Sequence, residues 1–481
     1  MLENNTVPLS EKLDSIDWNN VHYKVRQIQT RIVKYLKQGK IWKARKLQRL
    51  LRKSFYGILV SIKRVTTNKG KKTSGVDKEL WLRSETKWKK AVQLKQMNRY
   101  NPLPLKRVYI KKKNGKERPL GIPTMKDRTV QALHLLALEP IAEYTADKDS
   151  YGFRSWRSTA DAIEQCFGVL SRKKISPEWI LEGDIKGCFD NINHNWVIKN
   201  IPTDKEILKK WLRSGYIYKK KLFPTKSGSP QGGIISPVIA NMTLDGLGEI
   251  LNRKYPNVKL NYIRYADDFI VTGKSKEFLE SKVKPEIEDF LKVRGLELSE
   301  EKTIITHIDK GFDFLGFNIR KYNNKLIIKP SKESIKSVKR EIKETVNRHK
   351  QMKQEELIRI LNPIIIGWAN HYKHVVSKEI FSKIDNYIFW TLWKWAKRRH
   401  PNKNSYWIKR KYFKSEDTRN WIFKDKERRL ISLSYIDIII HTKIRKEANP
   451  FDKEQEIYFE RRWSQNFKMV SGRIKHKLWV L

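Results

Sequence analysis

Cysteine is scarce in this sequence, with only Cys166 and Cys188 among 481 residues. The two do not form a Cys-x-x-Cys pair, so the sequence predicts no structural zinc site. Two cysteines in a chain of this length also argue against a disulfide framework, which fits a reducing compartment. Chemistry based on thiols or on zinc is therefore not expected.

Long apolar runs are also missing. None approaches the ~20 residues that a helix needs to cross a bilayer. The first residues, Met-Leu-Glu-Asn-Asn, lack the basic-then-apolar layout of a secretory signal. We therefore expect a soluble, intracellular protein with no membrane contact. The many Lys, Ile and Asn residues suggest an AT-rich coding sequence, which fits some bacteria and organelles. We therefore expect the cytoplasm or nucleoid of a bacterium, or an organelle such as a plastid or mitochondrion.

Acidic residues are few relative to basic ones. The chain has 102 Lys and Arg but only 52 Asp and Glu, which gives a net charge of +50. A compact protein with this excess repels itself unless polyanions neutralise it. Nucleic acid is the expected partner, bound with an affinity that falls as salt rises. The 16 Trp and 19 Tyr add flat faces on which bases can stack.

The chain is long enough for two to four domains, and its patterns divide it into four stretches. Residues 1–66 show apolar positions at helical spacing, and 67–328 alternate strand-like runs with helical patterns. Residues 329–450 are mostly helical and rich in Trp and basic residues, and 451–481 form a short basic tail. Within the second stretch, 161–170 and 277–293 are typical of helices.

The most informative motif is Tyr265-Ala266-Asp267-Asp268, which lies between two apolar runs. This pattern predicts a β-hairpin with two carboxylates at its turn. Carboxylate oxygens are preferred ligands of hard cations such as Mg²⁺. A plain turn is the alternative, because Asp is common in turns.

Two-metal nucleotidyl transfer needs a further carboxylate from a neighbouring strand, because adjacent Asp residues do not readily bridge both ions. Asp184 is the best candidate, since it ends the strand predicted over 179–185. Asp190 is a weaker one, because residues 190–194 are also typical of a helix cap.

Blocks around these carboxylates follow one another in a specific order. They are Asp184-Ile185 with Phe189-Asp190, Pro230-Gln231-Gly232-Gly233, Tyr265-Ala266-Asp267-Asp268 and Phe312-Asp313-Phe314-Leu315-Gly316. Upstream stand 107–124 and 150–158, and downstream 367–372 and 395–403. In this order the blocks resemble the group II intron-encoded reverse transcriptases, or maturases, of bacteria and organelles, and the resemblance covers nearly the whole chain.

The resemblance implies a right-hand polymerase of the α/β (α+β) class. Residues 67–328 would form fingers and a palm with an antiparallel sheet, after an N-terminal helical extension. Residues 329–450 would form the helical thumb, or maturase domain X. The implied function is RNA-directed DNA synthesis together with binding of group II intron RNA, splicing and retrohoming. An RNA template, a DNA primer, dNTPs and two Mg²⁺ ions are the implied partners.

Site roles also follow from the resemblance. The catalytic and metal-binding carboxylates would be Asp184, Asp267 and Asp268, with the backbone carbonyl of Ile185 completing a metal shell. The implied dNTP-binding residues are Lys112 and Arg118 at the triphosphate, Phe189 under the sugar and Gln231 against the nucleotide. Lys302 would be the general acid for pyrophosphate.

Each of these weaker assignments has a plainer alternative. Lys111 or Lys113 could replace Lys112, and all three could be solvated lysines of a hairpin. For Phe189 the alternative is a core side chain, for Gln231 a structural turn, and for Lys302 a solvated surface residue.

The sequence departs from the family at two places. Ser155-Trp156 stands where the family usually has Pro-Gly, which changes a turn but no catalytic group. The chain also ends at Leu481 without the paired Cys and His ligands of an HNH endonuclease. We therefore expect no second-strand DNA cleavage by this polypeptide.

Three other functions compete with an active intron reverse transcriptase. One is a splicing maturase that makes little use of its polymerase site, although the intact carboxylates favour activity. Another is a reverse transcriptase recruited to bacterial defence, which the maturase-like region up to 450 disfavours. The last is a viral RNA polymerase, against which Phe189 and the Tyr-Ala turn favour DNA synthesis.

Overall fold

The computed structural model describes residues 8, 11–111, 115, 117–172, 175–229, 232–416 and 419–468. Its N-terminal part is a helical layer, as the apolar spacing predicts. The helices are α1 (Trp18–Lys37), α2 (Ile41–Lys53), α3 (Phe55–Thr67), α4 (Ser84–Gln96) and α5 (Met125–Thr145). The Asp17 carboxylate caps α1 by accepting from the amides of Asn19 and Asn20. The apolar faces of α1 and α3 pack against the largely buried α5.

A four-stranded sheet lies next to this layer. Its strands are β1 (Leu105–Lys111), β2 (Glu117–Ile122), β4 (Tyr216–Tyr218) and β5 (Lys221–Phe223), in the order β2-β1-β4-β5. β1 and β2 form an antiparallel hairpin, so the block that resembles the fingers contains the hairpin named as the alternative for its lysines. Of the β1–β2 connection, only Gly115 is among the described residues.

A second four-stranded sheet carries the predicted carboxylates. It is fully antiparallel, in the order β6-β7-β3-β8, and consists of β3 (Trp179–Asp184), β6 (Asn261–Tyr265), β7 (Asp268–Gly273) and β8 (Ile304–His307). Gly183 is required in β3, because an added Cβ would lie 2.2 Å from the Phe269 ring. The predicted strand ending in Asp184 and the predicted hairpin are both confirmed.

Helices pack against both faces of this sheet. They are α6 (Thr159–Leu170), α7 (Cys188–Asn191), α8 (His194–Asn200), α9 (Lys205–Leu212), α10 (Ser236–Leu244), α11 (Leu247–Lys254), α12 (Lys276–Phe278) and α13 (Lys284–Lys292). All but α6 lie on the side of Leu181 and Val271, whereas α6 belongs with the opposite face. The single helix predicted over 277–293 is instead α12 and α13 joined by a π-helical turn, Leu279–Val283.

The opposite face of the sheet leads into a mostly helical part. Here lie β9 (Phe312–Phe314), β10 (Phe317–Tyr322), β11 (Lys325–Pro330), α14 (Lys332–Arg348), α15 (Gln354–Tyr372), α16 (Lys378–Arg399), α17 (Ser405–Tyr412), β12 (Phe413–Glu416) and β13 (Arg419–Phe423). One apolar core runs from Ile180 and Ile270 of the sheet to Ile384 and Trp395 of α16. The β1–β2 hairpin, the antiparallel sheet with the carboxylates and the helical part that follows correspond to fingers, palm and thumb, so the predicted right-hand architecture is confirmed.

The segment predicted as a short basic tail contains a helix, α18 (Glu456–Lys468). Rings of Phe459 and Trp463 on α18 lie 5.3 and 5.9 Å from that of Trp156. Trp156 has φ 65°, the left-handed conformation that glycine adopts most easily. Trp156, which stands where the family usually has glycine, therefore packs against α18. No helix in the described ranges has the length and apolar character needed to cross a membrane.

Candidate active site

The hairpin turn between β6 and β7 presents two carboxylates at the end of the palm sheet. Tyr265 pairs with Asp268, which leaves Ala266 and Asp267 as the two turn residues. Ala266 has φ 58°, so this non-glycine residue takes the left-handed conformation that a tight hairpin turn demands. The turn thus fixes where Asp267 and Asp268 leave the backbone.

Asp184 lies directly opposite Asp268 across the β3–β7 ladder. Side chains of opposed residues in antiparallel strands share a face, with Cβ atoms roughly 4.5–5.5 Å apart. The three predicted carboxylates are therefore neighbours, two from adjacent strand positions and one from the turn.

Burial and the repulsion between neighbouring carboxylates raise the pKa of two of these residues. Desolvation in the cleft, followed by the negative charges of Asp267 and Asp184, raises the pKa of Asp268 to about 6. Burial, together with the charge of Asp184, also raises the pKa of Asp267, although positive charges at Arg118 and Lys302 oppose it. The site therefore favours a cation between the carboxylates.

Lys302 supplies one such positive charge. Its Nζ donates to Oδ2 of Asp184 at 2.9 Å, and this hydrogen bond raises the pKa of Lys302. The side chain is 64% exposed, so it reaches the carboxylate from the solvent side of the cleft. The ammonium is held at the carboxylates, protonated and accessible to a ligand.

The backbone carbonyl of Ile185 points away from the segment 297–299, which pairs with the chain on its other side. The Asp184 carbonyl accepts from the Ser299 amide at 2.8 Å, and the Lys186 amide donates to Glu297 at 3.0 Å. Successive residues of an extended chain direct their polar groups to opposite sides. The Ile185 carbonyl therefore points to the side of β7 and the carboxylates.

These oxygens fit a hard divalent cation by their chemistry, since carboxylates and a backbone carbonyl are the donors that Mg²⁺ takes. In the part of the chain that the structure describes, no three His, Cys, Asp or Glu side chains converge closely enough to form a metal cluster as they stand. Lys302, bound to Asp184, provides the cationic partner in this arrangement.

Phe189 lies in α7, immediately after the left-handed Gly187. It is only 8% exposed and packs in the palm core, and its ring meets that of Phe153 edge-on at 6.3 Å. Phe153 is 53% exposed. The predicted nucleotide-sugar residue therefore has a second aromatic ring beside it, which the sequence pattern did not single out.

Asp190 is inside α7 and does not cap the following helix. Asn193 caps α8 instead, by accepting from the Trp196 amide at 3.0 Å. The Ser229 amide donates to the Phe189 carbonyl at 2.7 Å, which ties α7 to the loop before the Pro-Gln-Gly-Gly block.

The fingers reach the palm carboxylates through Arg118, which is exposed on β2 opposite Ile110. Its positive charge lowers the pKa of Asp267, so the two groups are electrostatic neighbours. Lys112 and Gln231, the other predicted nucleotide-binding residues, lie outside the described residues, as do Lys113 and Pro230.

Three family models match the chain in succession. Residues 14–94 match the N-terminal domain of reverse transcriptase, and 110–319 match the reverse transcriptase (RNA-dependent DNA polymerase). Residues 335–413 match the group II intron, maturase-specific domain. The group II intron-encoded protein LtrA of Lactococcus lactis subsp. cremoris is 34% identical over 343 residues, 56% of each chain. Protein YkfC of Escherichia coli is 33% identical over 260 residues, 46% of this chain and 68% of YkfC.

The chain belongs to the group II intron reverse transcriptase/maturase family. Members of this family use divalent metal ions and bind RNA and other nucleic-acid substrates. The chain spans about half the length of LtrA. Among solved structures, Candida albicans telomerase in complex with a telomeric RNA fragment has TM-score 0.38 and 13% identity, covering 64% of both chains. Truncated apo telomerase from Candida tropicalis has TM-score 0.38 and 18% identity, covering 47% and 55%.

Proposed function

We propose that this group II intron protein is an RNA-directed DNA polymerase that also binds its intron RNA and assists splicing and retrohoming. The observation that carries the proposal is the pairing of Asp184 with Asp268 beside Asp267 at the open end of the palm sheet. A hairpin that served only as a turn would not need repelling carboxylates in a basic protein.

In this proposal, Asp184, Asp267, Asp268 and the Ile185 carbonyl hold two Mg²⁺ ions. When bound, such ions lower the pKa of a primer 3′-hydroxyl and stabilise the leaving pyrophosphate. Lys302 keeps a proton on Nζ beside Asp184, where it can be given to the pyrophosphate as it leaves.

The incoming dNTP would be oriented by groups from the fingers and the palm. Arg118 and Lys112 offer a forked and a point-like cation for the triphosphate. The Phe189 ring would lie under the sugar and disfavour a 2′-hydroxyl, and Gln231 would lie against the nucleotide. An RNA template and a DNA primer complete the proposed substrate set.

The maturase role is proposed for the helical part after 329. Basic and aromatic side chains alternate on its surface, as where Lys409 Nζ lies 4.4 Å from the centre of the Trp421 ring. Proteins bind RNA without reading its grooves when cations neutralise the phosphates and aromatic rings stack on the bases. The proposed partner is group II intron RNA, inside a bacterium or an organelle where such an intron is transcribed.

Asp267→Asn tests the polymerase proposal, because it removes one charge while keeping the shape of the side chain. We expect extension of a DNA primer on an RNA template with Mg²⁺ and dNTPs to fall about 100-fold or more, since metal coordination contributes several kcal/mol. Binding of intron RNA should change less than about twofold, because the contact surface is untouched.

Asp289→Asn is the matched control, since Asp289 is exposed on α13 away from the carboxylates. It should leave synthesis and RNA binding as in the wild type. Synthesis by the Asp267→Asn variant within about tenfold of wild type would overturn the metal assignment.

A further inference from the structure

A buried arginine lies directly beneath the carboxylate turn. Arg264 has no exposed surface, and its Nη1 donates to the Ala266 carbonyl at 3.2 Å and to Oδ1 of Asn241 at 3.0 Å. Its Nη2 forms an ion pair with Asp245. Hydrogen bonds from a buried guanidinium are strong and set geometry, because its donors are arranged as a rigid fork.

A second support runs alongside the turn. The segment 149–152 pairs with β6 through two backbone hydrogen bonds. The Arg264 amide donates to the Asp149 carbonyl at 3.0 Å, and the Tyr151 amide donates to the Arg264 carbonyl at 2.9 Å. Nδ2 of Asn241 donates to the Gly152 carbonyl at 2.7 Å. Asn241 therefore joins the two supports, by accepting from Arg264 and donating to Gly152.

The contact between this segment and the turn leaves no room for a side chain. A Cβ at Gly152 would lie 2.3 Å from the Ala266 amide nitrogen and 2.9 Å from the Tyr265 carbonyl carbon. These are backbone atoms, so the turn itself would have to move. Ala266 is left-handed, a conformation that is unfavourable for a residue with a side chain and persists only when its surroundings enforce it.

We propose that Gly152, Asn241 and Arg264 are positioning residues that hold the Ala266–Asp267 turn in the geometry needed for metal binding by the carboxylates. They touch neither substrate nor metal and act through the backbone of the turn. The inference rests on the proposed polymerase function. It also explains why the Tyr-Gly-Phe-Arg block, far from the Asp-Asp turn in sequence, belongs to the same site.

Gly152→Ala and Arg264→Lys test the proposal from the two sides of the turn. Gly152→Ala displaces the turn, whereas Arg264→Lys keeps the charge beside Asp245 but not the fork that reaches Ala266 and Asn241. We expect kcat for primer extension to fall about 100-fold, because a misplacement of about 1 Å costs that much. The Kd for intron RNA should stay close to wild type, and each variant should remain folded at the assay temperature.

Gly168→Ala is the matched control, because Gly168 is also a glycine of the palm and an added Cβ there meets nothing within 4 Å. It should leave kcat unchanged. If Arg264→Lys lowers the melting temperature, Gly152→Ala remains the decisive variant, since it removes no buried polar contact.

Mn²⁺ titration followed by electron paramagnetic resonance gives a readout that does not depend on synthesis. We expect Gly152→Ala to weaken Mn²⁺ binding about tenfold or more, which is the usual cost of losing support behind metal-binding residues. Gly168→Ala should bind Mn²⁺ like the wild type, and Asp267→Asn gives the level without the site.

The outcomes separate the two ideas. A wild type that makes DNA and binds Mn²⁺, with Gly152→Ala matching it in both, would overturn the positioning role and leave the proposed function standing. A wild type that binds Mn²⁺ at the turn but makes no DNA would overturn the proposed function. In that case, weaker Mn²⁺ binding by Gly152→Ala still supports positioning, and unchanged binding overturns it.

Discussion

Phe189 combines two demands on one side chain. It packs in the palm core and is almost fully buried, yet its ring meets the exposed Phe153 ring in an edge-to-face contact. A ring clamped in this way cannot move aside without opening the core. That rigidity is what a steric filter for the sugar of an incoming nucleotide requires.

Phe189→Val tests this filter. We expect incorporation of rNTPs relative to dNTPs to rise about tenfold or more, because the smaller side chain leaves space for a 2′-hydroxyl. Competitive primer extension with mixed nucleotides measures the ratio. Phe189→Tyr keeps the ring and should keep the preference for dNTPs. A ratio that stays constant in the valine variant, with folding intact, would assign Phe189 to the core alone.

The sequence predicted the acidic residues of the site better than the residues that support it. A strand ending in Asp184 and a hairpin turn at Asp267 each follow from local apolar patterns, so both could be predicted. The Asn241 contact with Gly152 spans 89 residues, and no local pattern encodes it. Arg264 offered one signal, a charged residue within an apolar strand, but not its partners.

Helix α6 shows how an element secures a distant part of the chain. Asp161 forms a capping box with Ser158 at the start of this helix. Its fully buried carboxylate also accepts from His441 Nε2 at 2.9 Å, from the Ile444 amide at 2.7 Å and from Arg462 Nη2 at 2.8 Å. One side chain therefore anchors both the segment between β13 and α18 and the helix α18 itself to the palm.

The protonation of Asp161 makes this anchor depend on pH. Burial alone would raise its pKa, but the hydrogen bond from His441 and the charge of Arg462 outweigh burial and hold the pKa at about 2, below the ordinary 3.8. Because the pKa is lower in the folded chain, the carboxylate stabilises the fold at neutral pH. That contribution, on the order of 2 kcal/mol, is lost as pH falls from about 4 to about 2.

Asp161→Asn should therefore lower the free energy of unfolding at pH 7. The deficit against wild type should shrink as pH falls below about 4, where the wild-type carboxyl also becomes protonated. Urea unfolding at several pH values measures this difference. Glu164→Gln is a contrasting variant on the same helix. Burial raises the pKa of Glu164, so its replacement should not produce a deficit that shrinks as pH falls. A deficit that is constant with pH would mean that Asp161 acts by shape and not by charge.

At the level of elements, the sequence predicted several helices and strands with a clear apolar face, such as α6 and β3, but it did not predict α18. Its residues were interpreted as part of a basic tail because the segment ends in basic residues, although Phe459 and Trp463 are four residues apart, the spacing of one helical face. The partner ring lies about 300 residues earlier and in a left-handed turn. The contact with Trp156 shows which face of this helix packs against the rest of the chain.

For the molecule as a whole, a charge of +50 sets the conditions for binding. Ion pairs with Asp and Glu neutralise some of the basic side chains. Basic residues nevertheless outnumber acidic ones almost twofold over the chain, so a surplus of positive charge remains. Phosphates can neutralise the surplus, with release of counterions. A large fraction of the affinity for RNA should then be electrostatic.

The logarithm of the binding constant for intron RNA should fall steeply and linearly with the logarithm of salt concentration. If about six phosphates are contacted, the slope is roughly −4 to −5. Asp267→Asn should show the same slope, because it changes the polymerase site and not the RNA surface. Lys409→Ala, next to Trp421, should reduce the slope by about 1 if that lysine meets a phosphate. A flat response in the wild type would contradict the basic surface as the RNA-binding element, because only a neutral interface is insensitive to counterion release.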